Sequence, residues 1–394
     1  MRGHWFTWLV LAIFFTATTI NLSRPMVSYR ALEMGTPAHL LGVIAAAYAL
    51  APLALTVSVG RLLDRHNSRW VPILGGVLFV IGALGLGFTD SLTGLVVLSG
   101  LLGIGHMAVV VSLQTAIADE SSGLVLDSRF GRYALGASSG QFVGPLIGAA
   151  IASFLHDDGA RAPLIASGVV AVLGLVAVLG ARPPTAPAPE TPAERAPWPR
   201  PRELFAGGGG RVLIVSFAAT AVVDTITIYL PALGEERNWS LQAVAVLLAV
   251  RGIASIASRI ALGRVVAVVG RKRLLIAGTL VSAASLGVLG LVPSIIVAFI
   301  ATAVGGYALG LCGPLTMAWM AAETRDGTRG TVMSVRLATN RLGQFIVPAA
   351  AGLLASSGGA AVVLYLAAAG LGLSAGALRG TSPSSDPGDE LDSR

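Results

Sequence analysis

The sequence is short of charge and of cysteine, and each shortage excludes a class of protein. Only 12% of its 394 residues are charged, whereas a soluble domain of this length needs far more charge on its surface. The single cysteine, Cys312, cannot form an intrachain disulfide and is expected to be a packing residue. The formal charge of +7 does not predict nucleic-acid binding, because the arginines are divided among short segments and form no single patch.

Motifs for nucleotide, metal and hydrolytic chemistry are missing as well. There is no phosphate-binding loop of the Gly-x4-Gly-Lys-Ser/Thr type, and none of the five histidines are paired at metal-ligand spacing. No Ser-His-Asp signature or nucleophile elbow occurs beyond chance. The sequence therefore predicts a protein that is not an enzyme and that needs no cofactor and no metal.

Long apolar runs fill most of the chain. Runs of about twenty residues are long enough to cross a hydrocarbon core of about 30 Å. The first run looks like a signal peptide, but it has no clear small-residue cleavage site before Arg24, so we interpret it as an uncleaved first span. The runs predict twelve transmembrane helices, at residues 5–23, 39–60, 70–88, 92–117, 130–154, 162–181, 211–233, 241–263, 272–291, 294–321, 331–355 and 358–378.

A proline- and glycine-rich stretch divides these runs into two sets of six. Eight prolines between Arg182 and Arg211 exclude a helix and predict a stiff, extended tether. The end of the chain is rich in Ser, Pro and Asp, which is typical of disorder. The predicted organisation is an N-terminal six-helix bundle (1–181), a linker (182–210), a C-terminal six-helix bundle (211–378) and a tail (379–394).

Basic residues predict the orientation in the membrane. With twelve spans both termini share a side, and the loops of that side hold 19 arginine and lysine residues. The opposite loops hold only Arg30, Arg161 and Arg237. The positive-inside rule therefore predicts cytoplasmic termini, linker and tail, in a multi-pass protein of a bacterial cytoplasmic membrane.

The two halves repeat each other at a constant offset of 203 residues. Charged and proline matches at one offset are hard to obtain by chance, even in a chain rich in Gly, Ala and Leu, so we infer a duplication. Parallel six-helix repeats predict a substrate path at their interface, near the bilayer midplane. The aligned pairs include Gly60 with Gly263, Gly103 with Gly306, Glu120 with Glu323, Gly140 with Gly343, and Pro145 with Pro348.

Two loops at aligned positions carry a known signature. Residues 60–69 read GRLLDRHNSR and residues 263–273 read GRVVAVVGRKR. They resemble the signature of the major facilitator superfamily, which is Gly, three residues, Asp-Arg, then Gly-Arg-Arg/Lys. The first copy has Asn67 and Ser68 in the last triplet, and the second copy lacks the Asp-Arg pair. The resemblance covers the whole membrane portion and implies an all-α membrane fold of twelve helices in two pseudo-symmetric bundles.

In that family the signature loop is thought to latch one conformation. Asp64 could pair with Arg65 or Arg69, or meet a positive helix N-terminus, and Glu120 and Glu323 are natural partners for Arg69 and Lys272. The simpler interpretation is that these charges only follow the positive-inside rule. The resemblance implies a latch formed by Gly60, Asp64, Arg65, Arg69, Glu120, Lys272 and Glu323.

The fifth span carries a second signature, at Gly140, Gly144, Pro145 and Gly148. It is similar to the motif associated with drug/proton antiporters, and the second half keeps only a degenerate form. Small residues four apart form a groove for a neighbouring helix, and proline bends the chain. The motif favours export, and an ordinary packing groove is the alternative.

Ionisable groups inside spans are costly, so each is a functional candidate. Asp224 is the only acid well inside a span, and Glu33 is expected to lie past the first span. A carboxyl group balanced between burial and a nearby arginine can load and release a proton. We predict that Asp224 couples transport to protons, with Arg24 or Arg251 as its partner and His106 as a second proton or substrate group. A static ion pair and a packing histidine are the alternatives.

Other polar groups in the spans predict a substrate cavity. Arginines there suit anionic substrates through bidentate contact. Arg259 and Arg336 lie nearer helix ends and are expected to reach toward the membrane surface. The predicted cavity residues are Asn21, Arg24, Gln114, Arg251, Asn340 and Arg341.

The sequence thus predicts a monomeric, proton-coupled exporter of small amphipathic or anionic compounds that works by alternating access as an antiporter, with no nucleic-acid partner. A proton-coupled importer of a metabolite on the same fold is the first alternative. A non-transporting membrane receptor is the second, and it would need a larger domain outside the membrane than any loop here provides.

Overall fold

The computed structural model describes residues 4–36, 41–66, 70–155, 159–182, 208–239, 241–324 and 328–378. Most of the predicted linker and the predicted tail lie outside these residues. The described helices, in chain order, are α1 (Trp5–Glu33), α2 (Leu41–His66), α3 (Trp70–Phe88), α4 (Leu92–Asp119), α5 (Gly123–Leu155), α6 (Arg161–Gly180), α7 (Gly209–Glu236), α8 (Leu241–Ile260), α9 (Leu262–Val269), α10 (Arg271–Leu291), α11 (Ile295–Glu323) and α12 (Arg329–Ala377).

Two of these helices are bent, and one pair of consecutive helices meets at a sharp angle. The helix α12 contains two helices that meet at Gly359, where φ is 73°. The helix α2 bends by 45° after Thr56, and α8 meets α9 at 65°. In the described residues, eight helices are long and apolar enough to cross a membrane, or up to ten if each bent pair is one span. The predicted all-helical membrane architecture is confirmed, and this number is consistent with the twelve predicted spans.

The first helix extends beyond its predicted end. The apolar run stops near residue 23, but α1 continues through Pro25 to Glu33. Its 29 residues at about 1.5 Å each give about 44 Å, which is longer than a hydrocarbon core. The helix therefore extends ten residues beyond the predicted end of the first span, and the placement of Glu33 past the membrane-spanning part stays a prediction.

The chain forms two compact units. The first contains Met1–Glu120, Leu135–Pro197 and Asp326–Val335. Within it α3 packs on α4 and α6, α1 packs on α6, and α2 packs on α4. Its core includes the buried side chains of Phe79 and Leu102.

The second unit contains Ser121–Ala134, Trp198–Arg325 and Arg336–Arg394. Within it α11 packs on α10, α8 and α7. Each unit thus includes one short segment from the other half of the sequence: the start of α12 belongs to the first unit and the start of α5 to the second.

Close contacts between helices recur at the 203-residue offset. In the first unit, a Cβ on Gly103 of α4 would clash with the carbonyl oxygen of Tyr48 in α2. In the second unit, a Cβ on Gly306 of α11 would lie 2.8 Å from the carbonyl oxygen of Arg251 in α8. Tyr48 and Arg251 are themselves aligned by the offset, so the same backbone contact is made twice.

Two further contacts repeat in the same way. Gly140 meets the carbonyl oxygen of Phe14, and its aligned residue Gly343 lies against Phe217, which aligns with Phe14. Gly278 lies against the fully buried Cys312, as Gly75 lies against the aligned Val109. Because small residues let helix backbones approach closely, these glycines fix equivalent helix pairs in both units.

Each unit also uses one glutamate to cap a helix start. Glu33, at the end of α1, accepts a hydrogen bond of 2.7 Å from the backbone N–H of Ala160, which precedes α6. Glu236, aligned with Glu33 and at the end of α7, accepts one of 2.7 Å from Ala360, just after the bend in α12. A carboxylate satisfies N–H groups that have no partner within the helix, so the first helix of each half is joined to the last.

Replacing Gly103 by alanine is expected to lower the stability of the protein, because α2 and α4 would have to separate. Overpacking of this kind typically costs about 1–3 kcal/mol. Gly313→Ala in α11 is the matched control, since no neighbouring helix of the described chain lies within 4 Å of a Cβ there. Thermal unfolding of the purified variants measures the difference, and equal stability of the two variants would contradict the contact.

Candidate functional site

One carboxylate in the first unit binds the start of a helix. Asp64, near the end of α2, accepts hydrogen bonds from the backbone N–H groups of Gly330 (2.7 Å) and Thr331 (2.9 Å). The Thr331 hydroxyl donates to the same carboxylate. These donors are in the first turn of α12, where N–H groups have no helical partner and carry partial positive charge. Asp64 therefore contacts a helix N-terminus, which is one of the three partners that the sequence allowed.

Two glycines permit this approach. A Cβ on Gly60 would lie 2.8 Å from the carbonyl oxygen of Gly330, and a Cβ on Gly330 would lie 2.9 Å from that of Gly60. The signature glycine thus brings α2 against the first turn of α12, so that the Asp64 side chain can reach the exposed N–H groups.

The other predicted latch residues are placed as follows. The side chain of Arg65 and the whole of Arg69 lie outside the described residues. Glu120 follows α4 and Lys272 lies in the first turn of α10, and both are half-buried. Glu323 accepts a hydrogen bond of 2.7 Å from the indole N–H of Trp319. Next to Glu120, Asp119 forms an ion pair with Arg329 at 3.3 Å.

Sequence reasoning missed a buried ion pair in the second unit. Arg271, at the start of α10, donates to both carboxylate oxygens of Asp127 in α5, at 3.0 and 2.8 Å. The two side chains are 1% and 0% exposed. The offset contains a signal for it, since Asp127 aligns with Gly330, the partner of Asp64. Asp64 of the first signature copy and Arg271 of the second thus contact aligned positions, Gly330 in α12 and Asp127 in α5.

A polar cluster lies inside the first unit. The Tyr48 hydroxyl is 2.9 Å from Nδ1 of His106, and the Arg24 guanidinium lies 5.0 Å from the centre of the Tyr48 ring. The ring of Phe79 is 6.1 Å from the His106 ring. The structure thus connects the predicted residues Arg24 and His106 through Tyr48, which the sequence argument did not single out although it aligns with Arg251.

The second unit places Asp224 near Arg251. Asp224 on α7 interacts electrostatically with Arg251 on α8. Arg251 also donates to the hydroxyl of Thr227 at 3.4 Å, one turn beyond Asp224. Of the two predicted partners, Arg251 is the one that interacts with Asp224 within its own unit. The aligned residue in the first unit, Asn21, donates to the Ala17 carbonyl at 2.8 Å.

The other predicted cavity residues make local contacts, and Asn340 and Gln114 are buried whereas Arg341 is half-buried. Asn340 accepts a hydrogen bond of 3.0 Å from Ser216, whose hydroxyl also accepts one of 3.3 Å from Arg336. Arg341 donates to Gln344 at 3.3 Å, and Gln114 in α4 is 2% exposed.

Two arginines do not reach outward as expected. Arg336 is 2% exposed and bonds to Ser216. Arg259 donates to the carbonyl oxygens of Ala134 and Gly310, at 3.0 and 3.2 Å. The expectation that they reach toward the membrane surface is wrong, because acceptors inside the second unit are available to them.

The glycines of the fifth span form a packing groove. Gly140, Gly144 and Gly148 face α1, and a Cβ on Gly144 would lie 2.7 Å from the carbonyl oxygen of Thr18. Pro145 is exposed on the same helix. The packing against α1 accounts for the four-residue spacing of the glycines. The association of this motif with export stays a prediction.

The Asp127–Arg271 pair yields a test of stability. Asp127→Asn is expected to destabilise the protein by about 3–5 kcal/mol, because it leaves a buried guanidinium without its counter-charge. Asp119→Asn breaks the more exposed pair with Arg329 and should cost at most about 1 kcal/mol. Thermal unfolding of both variants in detergent compares them. A loss for Asp127→Asn no larger than for Asp119→Asn would show that the buried pair contributes little.

Three comparisons bear on the identity of the chain. The sequence profile of the Major Facilitator Superfamily matches residues 9–266 and 212–391. No curated protein sequence matches. The human organic anion transporter MFSD10 has a similar fold, with a TM-score of 0.81 and 16% identity over 96% of this chain and 99% of that one.

Two sugar transporters are also similar in fold. The E. coli fucose:proton symporter FucP, in a variant form, has a TM-score of 0.77 and 14% identity over 95% of this chain and 98% of its own. The proton:xylose symporter XylE has a TM-score of 0.72 and 17% identity over 95% of both chains. At these identities the likeness shows the fold alone. Together with the match of the family profile along both halves, it establishes that the chain is a multi-pass membrane transporter, not an enzyme, and that it belongs to the Major Facilitator Superfamily.

Proposed function

We propose that this protein is a proton-coupled transporter of small amphipathic or anionic compounds: an exporter by antiport for amphipathic compounds and, as the second candidate, an importer by symport for anions. It works by alternating access in a bacterial cytoplasmic membrane, as a monomer with both termini in the cytoplasm. The observation that carries the proposal is the interaction of Asp224 with Arg251 inside the apolar spans of the second unit. An intramembrane carboxylate that interacts with a basic group is the usual means of linking transport to a proton.

The Asp224–Arg251 interaction gives the coupling a physical basis. When Asp224 is charged, it partly neutralises Arg251. When Asp224 takes up a proton, that compensation ends and the guanidinium is left to other partners. Binding of a proton and rearrangement of the site are thus one event, which is the requirement for secondary transport.

The sign of the coupling depends on the charge of the substrate. An amphipathic compound that donates a hydrogen bond to the Asp224 carboxylate competes with the proton for it, which gives exchange and therefore export. The glycine groove of α5, similar to the antiporter motif, supports this direction. His106, in contact with Tyr48 and with Arg24 nearby, is the second proton or substrate group in the proposal.

Import by proton symport is a second candidate, and the same pair favours it for anions. Protonation of Asp224 strengthens the attraction of Arg251 for an anion, so proton and anion bind together. Two of the structurally similar proteins are named as proton symporters, and a third as an organic anion transporter. Counterflow in inverted vesicles separates the two directions.

Alternating access needs contacts that form and break, and the Asp64 site has that character. The carboxylate is held by hydrogen bonds from N–H groups at the start of α12, and such bonds can break and form again. We assign it the role of a latch that stabilises one conformation, supported by the family signature around Gly60. The buried Asp127–Arg271 pair, at the aligned loop, is its counterpart in the second unit.

Asp224→Asn should abolish proton-coupled transport and leave the protein folded. The amide keeps the shape of the side chain and can still form hydrogen bonds, but it does not take up or release a proton at physiological pH. Asp90→Asn, which changes an exposed carboxylate paired with Arg30, is the control. Proteoliposome flux under an imposed pH gradient measures the effect, with a substrate found by thermal-shift screening. Full ionophore-sensitive flux in Asp224→Asn would rule the assignment out.

Asp64→Asn should slow turnover by about tenfold, equivalent to about 1.4 kcal/mol, with a smaller effect on substrate affinity. The amide brings donors toward the N–H groups of Gly330 and Thr331, so the contact weakens. Initial rates and ligand affinity are measured on the same preparation, again beside Asp90→Asn. Unchanged rates would remove the latch from the mechanism.

A further inference from the structure

A small cavity lies inside the second unit. Parts of α7, α8, α10 and α11 line it, and it is partly open. Most of the wall is apolar, but a guanidinium and three hydroxyl groups border it. It has room for about one or two water-sized groups. The residues that carry its polar chemistry are Arg251, Ser282, Ser285 and Thr302.

The 203-residue offset explains why space is left there. At the aligned positions of the first unit stand larger side chains, and two of them, Phe79 and Leu102, are buried in the core. Larger residues at other lining positions offset much of this loss, since Ser285, Leu286 and Ile226 replace Gly82, Ala83 and Ser23. The positions that lost bulk are Ser282 for Phe79, Ala301 for Leu98, and Gly305 for Leu102.

One hydroxyl that lines the cavity lacks a partner. Thr302 is 5% exposed, and its Oγ1 makes no hydrogen bond within the described structure. Threonines of α7 in the same unit behave differently, because Thr220 and Thr225 donate to the carbonyl four residues earlier at 2.8 Å. Buried hydroxyl groups are normally satisfied, so the Thr302 hydroxyl is available to an acceptor in the cavity.

A second donor at the cavity is charged. Arg251 lines the same space, and its Nε is buried without a hydrogen-bond partner in the described residues. The side chain is held there by backbone packing, because Gly306 lies against Cα and Cγ of Arg251, at 2.9 and 3.0 Å from the position of a Cβ. Arg251 also donates to Thr227 and interacts with Asp224. Its Nε and the Thr302 hydroxyl nevertheless remain two donors that a small, negatively charged acceptor would satisfy.

We propose that this cavity binds a small monovalent anion, either a carboxylate group or a halide, held by Arg251 and Thr302. A carboxylate would be the head of a transported compound, and that identification rests on the proposed function. A halide would be a separate occupant with the same chemistry. The apolar walls disfavour larger, strongly hydrated polyanions.

Thermal unfolding of the full-length protein in detergent tests the proposal. In one series sodium acetate replaces sodium gluconate, and in a parallel series sodium chloride does. The ionic strength is constant, so that electrostatic screening does not change. The bulky gluconate anion is the reference. Saturable stabilisation by either small anion is expected, since a ligand that binds only the native state stabilises it.

Three variants identify the site. Thr302→Val keeps the shape of the side chain and should raise the half-saturating concentration about tenfold, as expected for a lost hydrogen bond to a charged group. Arg251→Gln should remove the response. Thr115→Val is the matched control, because Thr115 also carries a buried hydroxyl without a partner in the described chain but lies in the first unit; it should respond like wild type.

Saturation by acetate alone assigns the site to a carboxylate, and saturation by chloride, alone or in competition with acetate, assigns it to small anions in general. No saturable response in the wild-type protein, or an unchanged response in Thr302→Val and Arg251→Gln, overturns the proposal and leaves a cavity for water. Binding is measured without transport. A protein that binds acetate but carries no proton-linked flux would therefore refute the proposed function and keep the site.

Discussion

Close backbone contact at glycine is the interaction on which the rest of this structure depends. Between apolar helices in a membrane there is little hydrophobic force, so association relies on packing at short distance. Gly103 and Gly306 bring the neighbouring helix close enough for its carbonyl oxygen to touch them. These carbonyl oxygens belong to Tyr48 in one unit and to Arg251 in the other. The contacts therefore fix the position of both residues along their helices. The polar clusters are built around these two residues.

Duplication therefore produced one scaffold with two kinds of interior. Around Tyr48 the space is filled by aromatic rings and the His106 imidazole. Around Arg251 the equivalent rings are absent, and a carboxylate, hydroxyl groups and a cavity take their place. The glycine contacts are shared and the side chains are not, so substrate chemistry can diverge without disturbing helix packing.

Features that depend on local pattern or on the offset could be predicted from the sequence. The apolar runs predicted the helices, and the isolated acid Asp224 was predicted to have Arg24 or Arg251 as its partner. The Asp127–Arg271 pair was not predicted, because the two residues are 144 positions apart and Glu323 was the acid that the alignment suggested for the neighbouring Lys272. The length of α1 was missed because hydropathy falls at Arg24, whereas the helical hydrogen bonds continue to Glu33. Burial of Arg336 depends on an acceptor, Ser216, that no local pattern reveals.

The two kinds of cap made by acidic side chains differ in when they can form during synthesis. Glu33 binds the start of α6, so both partners exist once the first 160 or so residues have left the ribosome. Asp64 binds Gly330, 266 residues later, and its carboxylate must wait until most of the second half has been made. Domains generally fold from the N-terminus as they emerge. The Glu33–Ala160 contact, which joins α1 to α6, can therefore form early in synthesis. The Asp64–Gly330 contact is among the last that can form. A chain truncated before residue 330 would contain the first contact, but its Asp64 carboxylate would lack the N–H groups of α12.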